Sequence, residues 1–179
     1  MVENLEQLER QIQHAKIYAA SSLVPAHFRG KWEDVLVAIQ IGATLRMAPY
    51  FILQSIYVLQ GKACLSGQLC IALLNNSGRI KGPLKYKVEH GEDLQRLAVV
   101  AQAIDAAAGT VIHVRVSMEQ ARVAGWARGP LYRSIPEHML RYRAAQFLIR
   151  THYPEVLYGL DITELATNDN VALSVVVQE

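Results

Sequence analysis

Between Leu84 and Val116 the sequence period changes from that of helix to that of strand, and this change decides the fold class. Leu84-Lys85-Tyr86-Lys87-Val88 alternates apolar and basic residues, as a strand with one wet face does. Leu97–Ile104 and Thr110–Val116 are two further strand candidates, with Asp105–Gly109 as the turn between them. The three runs read as an antiparallel meander. Upstream, Ile56-Tyr57-Val58-Leu59, Gln60-Gly61-Lys62 and Ala63-Cys64-Leu65 read as a tight hairpin turning at Gly61. Helical patterns stand on either side, so strands and helices are partly segregated and the predicted class is α+β.

The helices announce themselves by spacing and punctuation. Leu5, Leu8, Ile12, Ala15 and Ala19 fall at 3/4 spacing within the first 21 residues, which predicts a helix. Trp32, Val35, Leu36, Ile39 and Ala43 form a second stripe, which Pro49 keeps from running on. Ser66 is the expected N-cap of a helix from Gly67 to about Asn76. Ser117 with Gln120 makes a capping box for a helix to about Ala124. Gly125 to Pro136 holds two Gly and two Pro and reads as a loop. Pro136 opens the longest late helix, which Pro154 ends near Tyr153. Asp161 and Glu164 read as charges near a further helix start. No repeat or linker is visible, so residues 1–179 are expected to form a single domain. Within it, 1–22 is an N-terminal helix suited to a subunit contact, and 154–179 is an acidic segment.

Composition removes several classes. Hydrophobic residues are 51% and charged residues 19%, which excludes a disordered chain. The apolar surplus points to a large core or to faces covered by something else. No apolar run is long enough for a transmembrane helix. The N-terminus lacks the basic and apolar regions of a signal peptide. Cys64 and Cys70 are too few for a disulfide scaffold. A reducing cytoplasm is the expected compartment. Gly61-Lys62 lacks the earlier glycine and the following Ser or Thr of a phosphate loop. Neither G-x-G-x-x-G nor G-x-S-x-G occurs. His14, His27, His90, His113, His138 and His152 show no metal-ligand spacing. No catalytic residue, cofactor or metal is expected.

Charge carries more information in its distribution than in its total of +2. From Thr110 to Tyr153 stand Arg115, Arg122, Arg128, Arg133, Arg141, Arg143 and Arg150 against only Glu119 and Glu137, a net +5. From Pro154 to Glu179 there are five acids and no Lys or Arg, a net −5. Arg79, Lys81, Lys85 and Lys87 form a second basic cluster. Trp126, Tyr132, Tyr142 and Phe147 are interleaved with the arginines. Guanidinium forks onto phosphate oxygens and aromatic faces stack on bases. That is the composition of a groove for single-stranded nucleic acid. The plainer alternative is a solvated basic face, with Trp126 and Tyr132 tucking a loop onto the core. On the late helix, Arg143, Gln146 and Arg150 share one face. Its two arginines either pair with acids or line a groove.

Two blocks then carry a family resemblance. The first runs from Leu45-Arg46-Met47-Ala48-Pro49 through Ile56-Tyr57-Val58-Leu59-Gln60-Gly61-Lys62 and Leu65-Ser66 to Gly78. The second runs from Pro136 through Met139, Arg143-Ala144 and Arg150 to Tyr153-Pro154-Glu155-Val156-Leu157-Tyr158-Gly159-Leu160. In this order, with strands between, they resemble the RecT family of phage single-strand DNA annealing proteins. The resemblance covers roughly Ala15 to Thr167. It implies ATP-independent binding of single-stranded DNA and annealing of complementary strands in phage recombination, in the cytoplasm of a bacterial host. It also implies a curved sheet packed with helices, the hairpin and meander forming one small antiparallel sheet of RecT-like fold. The partners implied are single-stranded DNA, the annealed duplex and further copies in a ring or helical filament, with no membrane. Lys62, Ser66, Arg143 and Arg150 carry over by position as DNA-groove residues. Lys81, Arg115, Trp126, Arg128, Tyr132 and Arg133 join them from the charge and aromatic pattern alone. Arg143→Ala with Arg150→Ala is expected to lower annealing and leave the fold intact.

Two departures stand out. Family members often run longer and carry a C-terminal region that recruits host partners; this sequence stops soon after the second block, so host recruitment stays open. Arg46-Met47-Ala48 replaces the glycine-containing turn expected before Pro49. The competing function is a structural self-assembling protein, or an accessory subunit of a phage recombination nuclease.

Overall fold

The structure, a computed structural model, describes residues 5–59 and 61–162. The expectations for residues 1–4, for Gln60, for Glu164 and for the acidic segment beyond Ile162 lie outside the described residues. The class is α+β, with seven α-helices and two three-stranded sheets among the described residues. The chain divides into two compact units, Met1–Ala63 and Cys64–Glu179.

In the first unit, α1 (Leu5–Ala20) packs on α2 (Trp32–Thr44). The small residues Ala15 and Ala19 of α1 are buried there, while Leu5 and Ile17 stay exposed. Pro49 does more than stop α2: it starts a helix of its own, α3 (Pro49–Ser55), standing at the first-turn position where a missing N–H costs nothing. Between them the Arg46 N–H donates to the Ala43 carbonyl and the Met47 N–H to the Gly42 carbonyl. This is a Schellman cap, which usually places glycine at the left-handed position. Arg46 takes that position at φ 56. The turn therefore keeps the shape a glycine would allow, with arginine carrying the backbone strain.

Gly42 is required for a different reason. A Cβ there would lie 2.6 Å from Ile52 Cγ2 on α3, and Ile52 is fully buried. Gly42→Ala is expected to destabilise the chain by about 2 kcal/mol through overpacking. Thermal or urea unfolding would register it; a variant as stable as the parent would mean that α2 and α3 are free to separate.

The unit ends with β1 (Ile56–Leu59). The His27 ring stacks on Tyr57 at 5.7 Å, and its Nε2 donates to the Ile56 carbonyl at 3.2 Å. Burial lowers its pKa, against the carbonyl bond.

Gly61, at φ 78, makes the expected turn. The strand after it, β2 (Lys62–Leu65), is crossed by the division between units. Ser66 caps α4 (Gly67–Asn76), its Oγ accepting from the Leu69 N–H at 3.2 Å. The meander follows as β3 (Lys85–Glu89), β4 (Ala98–Ile104) and β5 (Val111–Ser117), in the order β3-β4-β5 and antiparallel throughout. Ser117 and Gln120 form the complete capping box of α5 (Met118–Val123).

Three expectations need correction. Hairpin and meander do not share one antiparallel sheet; β1-β2-β6 and β3-β4-β5 are separate sheets. The strand that completes the first, β6 (Asp161–Ile162), runs parallel to β2, pairing Cys64 with Asp161 and Leu65 with Ile162. Asp161 thus sits on a strand and not at a helix start. Tyr158 and Gly159, both at positive φ, turn the chain back, and fully buried Leu65 and Ile162 hold it there. Finally, the supposed loop 125–136 contains a 3-10 turn at Trp126–Arg128 and α6 (Pro130–Ser134). Its two prolines open helices: Pro130 starts α6 and Pro136 starts α7 (Pro136–His152).

Helix α7 is the spine of the second unit. Leu140, Ala144, Ala145, Leu148 and Ile149 are fully buried, and the helix packs on β4, β5 and α4. No single helix among the described residues is long and apolar enough to cross a membrane.

Candidate nucleic-acid interface

The meander register sorts its side chains onto two faces. Tyr86, Ala101 and Val114 stand in line across the sheet, as do Val88, Val99 and Val116. Directly opposed residues point the same way. Arg141 of α7 lies 5.5 Å from the Tyr86 ring centre, so this face meets the helix. Burial of Tyr86 pushes its hydroxyl up to about 12. The opposite face is basic: Lys85 with Gln102 and His113, then Lys87 with Val100 and Arg115. Lys85, Lys87, His113 and Arg115 are all exposed.

An ion pair spans this face. Arg115 Nε donates to Glu89 Oε2 at 2.8 Å, although Arg115 is on β5 and Glu89 on β3. Strands lie roughly 4.8 Å apart, so the pair reaches across β4. It can do so because β4 carries only Ala98 and Val100 beneath it, 0% and 6% exposed. The hydrogen bond from Arg115 holds the Glu89 carboxyl below its usual range.

The basic row continues past β3. Ile80 bridges Asp105, and the Lys81 N–H donates to the Ile104 carbonyl at 2.8 Å. Lys81, Lys85 and Lys87 therefore follow one edge of the sheet. Among the described residues none of them makes an ion pair within 4 Å. Nearby, Asp105 is occupied by its own turn. Its carboxylate accepts from the Ala108 and Ala107 N–H groups at 2.7 and 3.0 Å and from the Tyr153 hydroxyl at 3.1 Å. The Ala108 bond leads in holding it below the carboxylate range. Burial, then the bond to Asp105, pushes Tyr153 up to about 12.

The arginine-rich stretch is distributed differently from a groove. Arg141 pairs with Glu137 at 2.7 Å and Arg150 with Asp161 at 3.6 Å. Arg122 donates to the Gln95 carbonyl at 2.6 Å. Arg143 is 3% exposed; its guanidinium lies 4.3 Å from the Trp126 ring centre, and its Nε donates to the Tyr132 hydroxyl at 3.4 Å. Tyr132 is also 3% exposed. Arg143, Trp126 and Tyr132 thus come together as an internal cluster holding the 126–134 segment onto α7. This corrects the placement of Arg143 and Tyr132 on an open groove. Within the stretch, Arg128 and Arg133 are exposed and make no ion pair among the described residues.

Of the other expected positions, Ser66 is occupied as a helix cap, and Lys62 is an exposed strand residue. Lys85, Lys87 and His113 were absent from the expected contact set. Their signal was present in the Lys-x-Lys alternation, but only the register shows that Arg115 stands in the same row. Among the described residues no group of three or more His, Cys, Asp or Glu could hold a metal ion. What this face can do chemically is bind successive phosphates without reading bases. Comparison with protein-family models, curated proteins and solved structures finds no match to this chain.

Proposed function

We propose that the protein binds single-stranded DNA on the basic outer face of the meander and anneals complementary strands without ATP. The observation that carries this reading is the row Lys81, Lys85, Lys87 with Arg115 and His113 on a sheet face to which α7 is not packed. Residues two apart on a strand stand roughly 6.7 Å from each other, a spacing on the scale of successive phosphates in an extended strand. The resemblance of the two flanking blocks to the RecT family supports the same reading. In it the α+β arrangement is an annealing-protein fold, working as a ring or helical filament in the host cytoplasm. Exposed Leu5, Ile17, Leu23 and Phe51, at 62–72%, offer apolar surface for assembly. Phosphates pair with the cations while bases remain open to a second strand, and neighbouring copies stabilise the duplex that forms.

The test mixes two complementary oligonucleotides with the protein in the absence of ATP. Faster pairing is expected. Three phosphate contacts per subunit would make log K fall with log salt by roughly 2, at ~0.7 per contact for single strands. A salt-independent affinity, or no acceleration, would overturn the reading; strand cleavage would favour a nuclease subunit.

A further inference from the structure

At the outer edge of β5 lies a hollow of about 430 Å³, lined by Arg115, Glu119, Val123, Ala124, Trp126 and Phe147 among others. Its walls are held by specific bonds. The capping box fixes α5 to the end of β5: Ser117 Oγ accepts from the Gln120 N–H at 3.2 Å, and Gln120 Oε1 accepts from the Ser117 N–H at 2.8 Å. The Arg122 bond to the Gln95 carbonyl ties down the same helix. Gly125 then reverses the chain at φ 82, a conformation costly to any residue with a Cβ. The reversal returns Trp126 to α7, where its ring meets Phe147 at 5.7 Å and 52°. Buried Arg143 supports the Trp126 ring at 4.3 Å. The result is a wall of two aromatic rings with an apolar lip at Val123, which is 87% exposed.

Arg115 connects the hollow to the phosphate row. It stands beside Lys87 across β4 on the outer sheet face and also lines the hollow. A chain that runs along the cations and reaches Arg115 arrives at an aromatic-lined recess. Glu119 lies in the same lining and turns phosphate away from that side. The chemistry required of an occupant is thus a flat, neutral, polarisable group tethered to an anion.

We propose that this hollow takes one nucleobase of the bound strand, stacked against the Trp126–Phe147 wall, with the adjoining phosphate at Arg115. The proposal rests on the DNA reading above and adds to it a site for a base. Stacking of this kind tolerates every base, since each has a π-face. One base per subunit would leave the run of stacked bases and register the strand on the protein, while its neighbours stay available for pairing.

Trp32 and Trp126 are the only two tryptophans, so Trp32→Phe leaves Trp126 as a single reporter. This variant is titrated with an oligothymidylate and with an abasic deoxyribose-phosphate strand of the same length. The oligothymidylate is expected to quench Trp126 and to bind about tenfold tighter or more than the abasic strand. Both strands should show the same salt slope. Phe147→Leu should remove most of that difference and leave abasic binding unchanged, with circular dichroism confirming the fold. Equal affinity for the two strands with unaltered Trp126 emission would overturn the base site and leave the phosphate row standing. Failure of both strands to bind would overturn the row and the base site together.

Discussion

Lys85→Glu combined with Lys87→Glu is expected to weaken single-stranded DNA binding by about a hundredfold at low salt. The double reversal changes the charge of the sheet edge by four and removes two of the proposed phosphate contacts at once. Both side chains are exposed, so the fold should be unaffected within about 0.5 kcal/mol. The milder Lys85→Ala with Lys87→Ala separates loss of contact from repulsion. It should lower the slope of log K against log salt by roughly 1.4, at ~0.7 per contact. Fluorescence anisotropy of a labelled oligonucleotide across a salt series gives both quantities. An unchanged slope in the alanine pair would remove this face from the interface, whatever the protein as a whole binds.

The second large effect falls on stability. Arg143→Ala is expected to destabilise the second unit by about 3 kcal/mol. A desolvated cation–π contact is worth about 2 kcal/mol, and deleting a buried side chain leaves a cavity beneath Trp126. Lysine should not rescue it, because stacking on the ring and reaching Tyr132 both depend on the planar fork. Arg150→Ala should cost less than about 1 kcal/mol, since its pair with Asp161 is half exposed. The two positions are two turns apart on α7, roughly 10 Å, so their effects should add. The double variant therefore loses fold stability mainly through Arg143, contrary to the expectation drawn from the sequence. Urea unfolding followed by tryptophan emission is the measurement. A midpoint for Arg143→Ala equal to the parent's would show that the cluster is not holding the segment.

Local chemistry made much of this legible. Ser66, Ser117 with Gln120, and Pro136 each mark a helix start by satisfying or removing an N–H that has no partner within the helix, and each start is where the residues place it. The meander followed from alternation. What escaped were features decided by distant partners. Strand β6 is only two residues long and exists because Leu65 and Ile162 meet, so no local periodicity encodes it. The 125–136 segment reads as a loop from its Gly and Pro alone, yet the same residues also punctuate helices. The candidate site divided in the same way. Charge and aromatic content singled out residues 110–153, and the sheet register places Lys85 and Lys87 of β3 in line with His113 and Arg115 of that stretch. Yet whether an arginine faces solvent, a carboxylate or an indole depends on which element lies across from it. Arg143 and Arg150 look equivalent on a helical projection, and only the 126–134 segment over one and β6 beside the other tell them apart.

The Arg115–Glu89 pair makes the basic face a graded surface. An anion arriving at Lys81, Lys85 or Lys87 meets a cation that has no ion-pair partner among the described residues. One arriving at Arg115 meets a guanidinium whose Nε already donates to Glu89 Oε2, so it shares the fork with that carboxylate or displaces it. Attraction is least opposed at Lys81 and Lys85, whereas at Lys87 and Arg115 the Glu89 carboxylate stands close by and reduces it. On the proposed function, a DNA strand would settle first at Lys81 and Lys85 and engage Arg115 only where its fit outweighs the acid already in place. That arrangement favours loose, movable contact over a permanent grip, as the proposed annealing would require.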